Sequence, residues 1–166
     1  MKNLVVLFAS ILLMTIAIEG VKAQNAVSAT AQAAATIIAP MTITKNIDLN
    51  FGNIASGSAA GSVVLSTSNV RTATNVILPN VPGTVSAAEF TVAGLANANY
   101  KINLPASTTI TNGTTTMTIN NFTESASNVL TAAGTETFKV GATLNLAANQ
   151  AAGSYTGSFA VTVDYE

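Results

Sequence analysis

Any chemistry in this chain has to come from carboxylates, hydroxyls and amides, because it contains neither His nor Cys. That removes the commonest general base, the commonest soft metal ligands and the thiol nucleophile. Beyond residue 23 six acids remain: Asp48, Glu89, Glu124, Glu136, Asp164 and Glu166. Two carboxylates could work as an acid–base pair on a glycosidic bond if a fold brought them together. Their scatter argues against it. Asp48 and Asp164 fall on the polar faces of alternating segments, and Glu89, Glu124 and Glu136 fall at strand ends or in loops, where solvated charge keeps edges soluble. No run of acids has calcium-loop spacing, and no G-x-S-x-G elbow frames a Ser. The Gly-containing stretch 55–61 lacks the Lys-Ser/Thr ending of a phosphate loop. The expectation is a protein that is not an enzyme and uses no metal or cofactor.

The N-terminus implies export. Met1-Lys2 is a basic start, Leu4 to Ile18 is an apolar run, and Val21-Lys22-Ala23 places small or modest side chains where signal peptidase reads. A run of about 15 residues is short of the ~20 that span a bilayer. Residues 1–23 are thus read as a signal peptide and 24–166 as one mature domain with no membrane anchor. The mature part carries four Lys and Arg against six Asp and Glu, a net charge of −2. That balance provides no electrostatic reason to bind nucleic acid or anionic lipid. Without Cys there are no disulfides, so stability rests on apolar burial and hydrogen-bond ladders.

Period-two alternation dominates the elements that must position any site. Met41, Ile43, Ile47, Leu49 and Phe51 alternate with polar residues, Lys45 alone breaking the apolar face. Shorter β-rich runs follow at 62–66, 75–78, 90–92 and 100–104, with Pro79, Pro82-Gly83 and Pro105 as punctuation. Asn112-Gly113, between runs 107–111 and 114–119, predicts a hairpin turn. Phe138, Val140, Ala142, Leu144 and Leu146 mark a long strand. Ala26–Ile38 alternates too and is read as a first strand, although Ala also favours helix. The pattern predicts an all-β antiparallel sandwich of eight or nine strands.

The last fourteen residues stand apart. Tyr155, Gly157, Phe159, Val161, Val163 and Tyr165 make a nearly continuous apolar face on a predicted strand from Tyr155 to Tyr165. Gly153 fourteen residues from the end, that alternation and Tyr165 in the penultimate place resemble the C-terminal signature of chaperone–usher pilins. Further stretches resemble a bacterial family of unknown function, the 4402 family, related to spore coat U and pilin domains. They are Leu49-Asn-Phe51-Gly52, Arg71-Thr-Ala-Thr74, Phe90-Thr-Val92, Tyr100-Lys-Ile102-Asn-Leu104-Pro105, Met117-Thr-Ile119-Asn-Asn-Phe122 and Phe138-Lys-Val140-Gly141-Ala142-Thr-Leu144.

The resemblance implies an immunoglobulin-like, pilin-like sandwich displayed at the cell surface, extracellularly or in the periplasm. It further implies a fimbrial-type or adhesive role by strand complementation. Gly153, Tyr155, Phe159, Val161, Val163 and Tyr165 become the candidate strand-pairing residues. The expected partners are further copies of the chain or a periplasmic chaperone and usher. The pilin disulfide is missing, and residues 24–38 serve either as first strand or as donor arm. A self-complete secreted module that binds a glycan or host surface is the alternative.

Overall fold

The structure, a computed structural model, describes residues 26–166; the expected signal peptide lies outside them. The chain divides at Thr36/Ile37 into an N-terminal segment and a body. Ala26–Ile38, expected as the first strand, is not one. No residue from 26 to 40 is in a strand and all are exposed. Its Ala methyls offer too little apolar area to repay the ordering of a strand.

The body holds nine strands and no helix: β1 Thr42–Ile47, β2 Gly61–Leu65, β3 Arg71–Thr74, β4 Ala88–Ala93, β5 Tyr100–Asn103, β6 Ser107–Thr111, β7 Thr116–Glu124, β8 Thr135–Leu146 and β9 Thr162–Tyr165. All pairings are antiparallel. Seven strands form one sheet, and β5 with β9 form the other. This is the β-sandwich that the alternation predicts.

The twelve-residue β8 is the spine. Its first half pairs with β4, placing Phe138 opposite Phe90, and β4 pairs in turn with β1. Its second half, Ala142–Leu146, pairs on the same edge with β2. The opposite edge carries β7, which shifts register at Asn121, a residue with φ 47°. At the handover stands Gly141, where a Cβ would collide with the Leu65 carbonyl.

Two cores follow from this division. Around the first half of β8, Phe90, Val92, Tyr100, Leu130, Phe138 and Val140 pack together. The β5–β9 sheet covers them with Tyr100, Ile102 and Val163. Around the second half, Val63, Leu65, Met117, Ile119, Leu144 and Leu146 pack with Phe51. No strand lies over that second core among the described residues.

Three strand boundaries differ from expectation. The alternation from Met41 to Phe51 ends as a strand at Ile47, because a bulge between Lys45 and Ile47 turns the chain off β4. Ile77 makes only an isolated bridge to Ala55, so 75–78 is a loop. The final strand is confined to 162–165 rather than beginning at Tyr155. The hairpin at Asn112-Gly113 is present, but its turn spans four residues. Gly113 alone takes positive φ, and the Asn112 side-chain oxygen accepts the amides of Thr114 and Thr115 at 3.0 and 2.8 Å.

Candidate functional site

A groove of about 1170 Å³ runs over the second core. Its floor includes Met117 and Ile119 from β7 and Leu144 and Leu146 from β8, side chains that alternation turns inward. All four are apolar and at most 9 % exposed. Its two walls are irregular segments, one within 45–56 and one within 150–159.

Side chains and backbone outside the groove hold the first wall in place. Asn50 exchanges both backbone hydrogen bonds with Ser86 (2.8 and 3.0 Å). The Arg71 guanidinium donates from Nη1 to the carbonyls of Phe51 and Asn53 at 2.7 and 2.9 Å. Gly52, at φ +70°, closes the turn between those two carbonyls, where a Cβ would meet Val85 and the Pro82 and Thr84 carbonyls.

The second wall is held more lightly. Thr156 exchanges both backbone bonds with Thr111 at 2.9 Å, and the Thr108 hydroxyl donates to the Ser158 carbonyl at 2.8 Å. The Tyr155 hydroxyl accepts from Gln150 Nε2 and donates to the Ala151 carbonyl, each at 2.8 Å, with Thr115 Oγ1 at 2.6 Å. Phe159 seals one end by packing on Phe122 and Phe90, ring centroids 4.9 and 6.4 Å away. The peptide groups of Tyr155 and Gly157 make no backbone hydrogen bond among the described residues. In an extended chain successive peptide groups point to opposite edges.

Of the residues singled out in the sequence, Gly153, Tyr155 and Phe159 come together along this wall. Val161 and Val163 instead pack under the first core, half-buried. Tyr165 lies farther on, its hydroxyl accepting the Leu95 amide at 2.7 Å and donating to the Ala39 carbonyl at 3.1 Å. The alternation of the final segment is observed, with Tyr155, Phe159, Val161, Val163 and Tyr165 half-buried and the even positions exposed. The opposing wall and its Arg71 buttress fall in stretches that carry the family resemblance, Leu49–Gly52 and Arg71–Thr74, but nothing in those residues marks either as part of a site. Only the fold shows that 47–56 leaves the sheet to stand over the second core.

The acids do not converge on the groove. Asp48 lies at its end, paired with Lys45 at 2.5 Å in the open. Three of the carboxylates expected to be solvated are half-buried and engaged. Glu89 takes a hydrogen bond from Asn46 at 3.2 Å, and Glu124 takes the amide of Ala126. Glu136 accepts the Tyr100 hydroxyl at 2.7 Å and the Ser127 amide at 2.6 Å. They tie loops to strand ends, which strand-end spacing alone does not reveal. Burial, then the hydrogen bond and charge of Glu136, then the charge of Glu124, push the Tyr100 phenol above its ordinary pKa. Among the described residues no three acids gather as a metal site.

No curated protein matches the chain, and no solved structure does. The profile of a family described as a domain of unknown function, DUF4402, matches residues 41–165. That stretch is the nine-stranded body with its groove, so the chain belongs to the DUF4402 family.

Proposed function

We propose that the protein is an exported structural or adhesive surface subunit that assembles by β-strand complementation. In this reading the groove of one copy takes segment 26–38 of another. The observation that carries it is the uneven cover of the two cores. One lies under β5 and β9, whereas the other lies under two irregular walls, tied to the sheet by isolated bridges, with a groove of about 1170 Å³ between them. An inserted strand gains main-chain hydrogen bonds from the wall and fills the gap with alternate side chains.

Segment 26–38 suits that gap. Val27, Ala29, Ala31, Ala33, Ala35 and Ile37 share one face, small in the middle and large at both ends. Val27 and Ile37 stand 94 % and 97 % exposed. Extended at about 3.3 Å per residue, the thirteen-residue segment outreaches the eleven and ten lining residues of the two walls. A periplasmic chaperone that lends a strand of its own is the partner expected before assembly.

The test is size-exclusion chromatography and electron microscopy of the mature chain across a concentration series. Wild type is expected to form oligomers or filaments, and Val27→Asp with Ile37→Asp to remain monomeric. A wild type that stays monomeric and ignores a 26–38 peptide overturns the reading.

A further inference from the structure

A groove that takes a strand must also decide where along its length that strand stops. The donor sequence settles this poorly by itself. Its middle face is Ala29, Ala31, Ala33 and Ala35, so a slip of two residues exchanges one methyl for another. Val27 and Ile37 alone tell the registers apart. Resting on the complementation reading, we propose that the groove is blind at one end. The junction of its two walls at Ser56–Gly57 and Asn149–Gln150 is a stop that ends the inserted strand and fixes its register.

The topology brings the walls together there. Gly61 and Leu146 close the β2–β8 ladder, the first wall leads into β2, and the second wall follows β8. Both walls thus leave the sheet from neighbouring strand ends. Just beyond the ladder the Asn149 amide donates to the Gly57 carbonyl at 2.8 Å, and the Ser56 hydroxyl donates to the Gln150 carbonyl at 3.1 Å. Among the described residues no other hydrogen bond joins 45–57 to 149–159. Gly57 is also backed by the Asn75 carbonyl, which a Cβ at that position would strike.

Gln150 braces the junction. Its Oε1 accepts the Ala147 amide at 3.1 Å, and its Nε2 donates to the Tyr155 hydroxyl at 2.8 Å. That hydroxyl meets Thr115 Oγ1 on the β6–β7 turn. The opposite end differs in kind. Only the Phe159 ring and the exposed Lys45–Asp48 pair, the sole charged side chains lining the groove, stand there. A ring can turn aside and solvated charges admit water, so a strand longer than the groove overhangs at that end. Ser56 and Gln150 act here as positioning residues.

The chain has no Cys, so a single introduced one reports position without interference. Ala151→Cys places it on the lining one residue past the junction, in the mature chain whose own donor is disabled by Val27→Asp and Ile37→Asp. This protein is oxidised with thirteen 26–38 peptides, each carrying one Cys at a different position, and disulfide yield is read by mass spectrometry. Bridging needs Cβ atoms about 3.5–4.5 Å apart. A fixed register therefore predicts cross-linking at one or two positions near one terminus of the peptide, at least tenfold above the rest. Adding Ser56→Ala and Gln150→Ala is expected to spread the yield over positions two residues apart. Comparable yields at both termini overturn the stop and leave the groove reading standing. Yield that stays confined in the loosened variant does the same, since Val27 and Ile37 then set the register. A fluorescent 26–38 peptide that binds while no Cys peptide cross-links also overturns the stop. If that peptide does not bind at all, the groove reading falls and takes the stop with it.

Discussion

Thr111 and Thr156 exchange two backbone hydrogen bonds of 2.9 Å, and this bridge is the one backbone tie between β6 and the 150–159 wall among the described residues. One side of the groove therefore depends on very few backbone contacts with the sheet. A wall that must part to admit a strand is expected to be lightly held.

Thr156→Pro removes the donor of one of those bonds and places a ring against β6. The expected cost is about 1 kcal/mol, the net worth of a typical hydrogen bond, read as a lower urea midpoint with unchanged slope. Amide exchange should accelerate at Thr111 and along 150–159 while β4 and β8 stay protected.

Gly141→Ala places a methyl against the Leu65 carbonyl where β8 passes from β4 to β2. Overpacking of this kind costs about 1–3 kcal/mol. Thermal unfolding is expected to shift down by several degrees. A variant as stable as wild type would show that the Leu65–Thr67 backbone moves aside without cost.

Tyr100→Phe keeps the ring in the core and strips the Glu136 carboxylate of its hydroxyl donor. Hydrogen bonds to charged groups are worth about 1.5–3 kcal/mol; retention of the Ser127 amide puts the expected loss at the lower end. The pH dependence has a definite sign. Because the folded phenol titrates above the unfolded one, its contribution is complete below about pH 10 and declines as the pH rises beyond it. Urea midpoints of wild type and Tyr100→Phe should therefore converge above that pH, and a constant difference would contradict the assignment.

Arg71→Met removes both guanidinium hydrogen bonds from the Phe51 and Asn53 carbonyls while retaining much of the aliphatic stem. Faster amide exchange at residues 50–53 is expected, with stability lower by about 1–2 kcal/mol. Unchanged exchange there would mean that the Asn50–Ser86 bridge alone holds the first wall.

Much of this was legible in the residues. Alternation located Phe138–Leu146 as a long strand and Tyr100–Leu104 as inward-facing, because a strand with one buried face must alternate with period two. Asn112-Gly113 marked its hairpin, since few residues tolerate the backbone that such a turn needs. Alternation misled at Ala26–Ile38 and at Tyr155–Val161. It reports which side chains could face a core, but a strand also needs a partner for its backbone. Ala26–Ile38 finds none, and Tyr155–Val161 finds one only at Thr156.

The absence of His and Cys, the scattered acids and the period-two pattern are properties of composition and order, so the sequence by itself determined an all-β body without thiol or imidazole chemistry. The tertiary structure decided the rest. The bulge after Lys45, the handover at Gly141 and the retreat of β9 to four residues leave the second core under a groove instead of a sheet. Each is a matter of which backbones find partners at long range. A linear pattern cannot specify that, because pairing depends on what the rest of the chain has already covered.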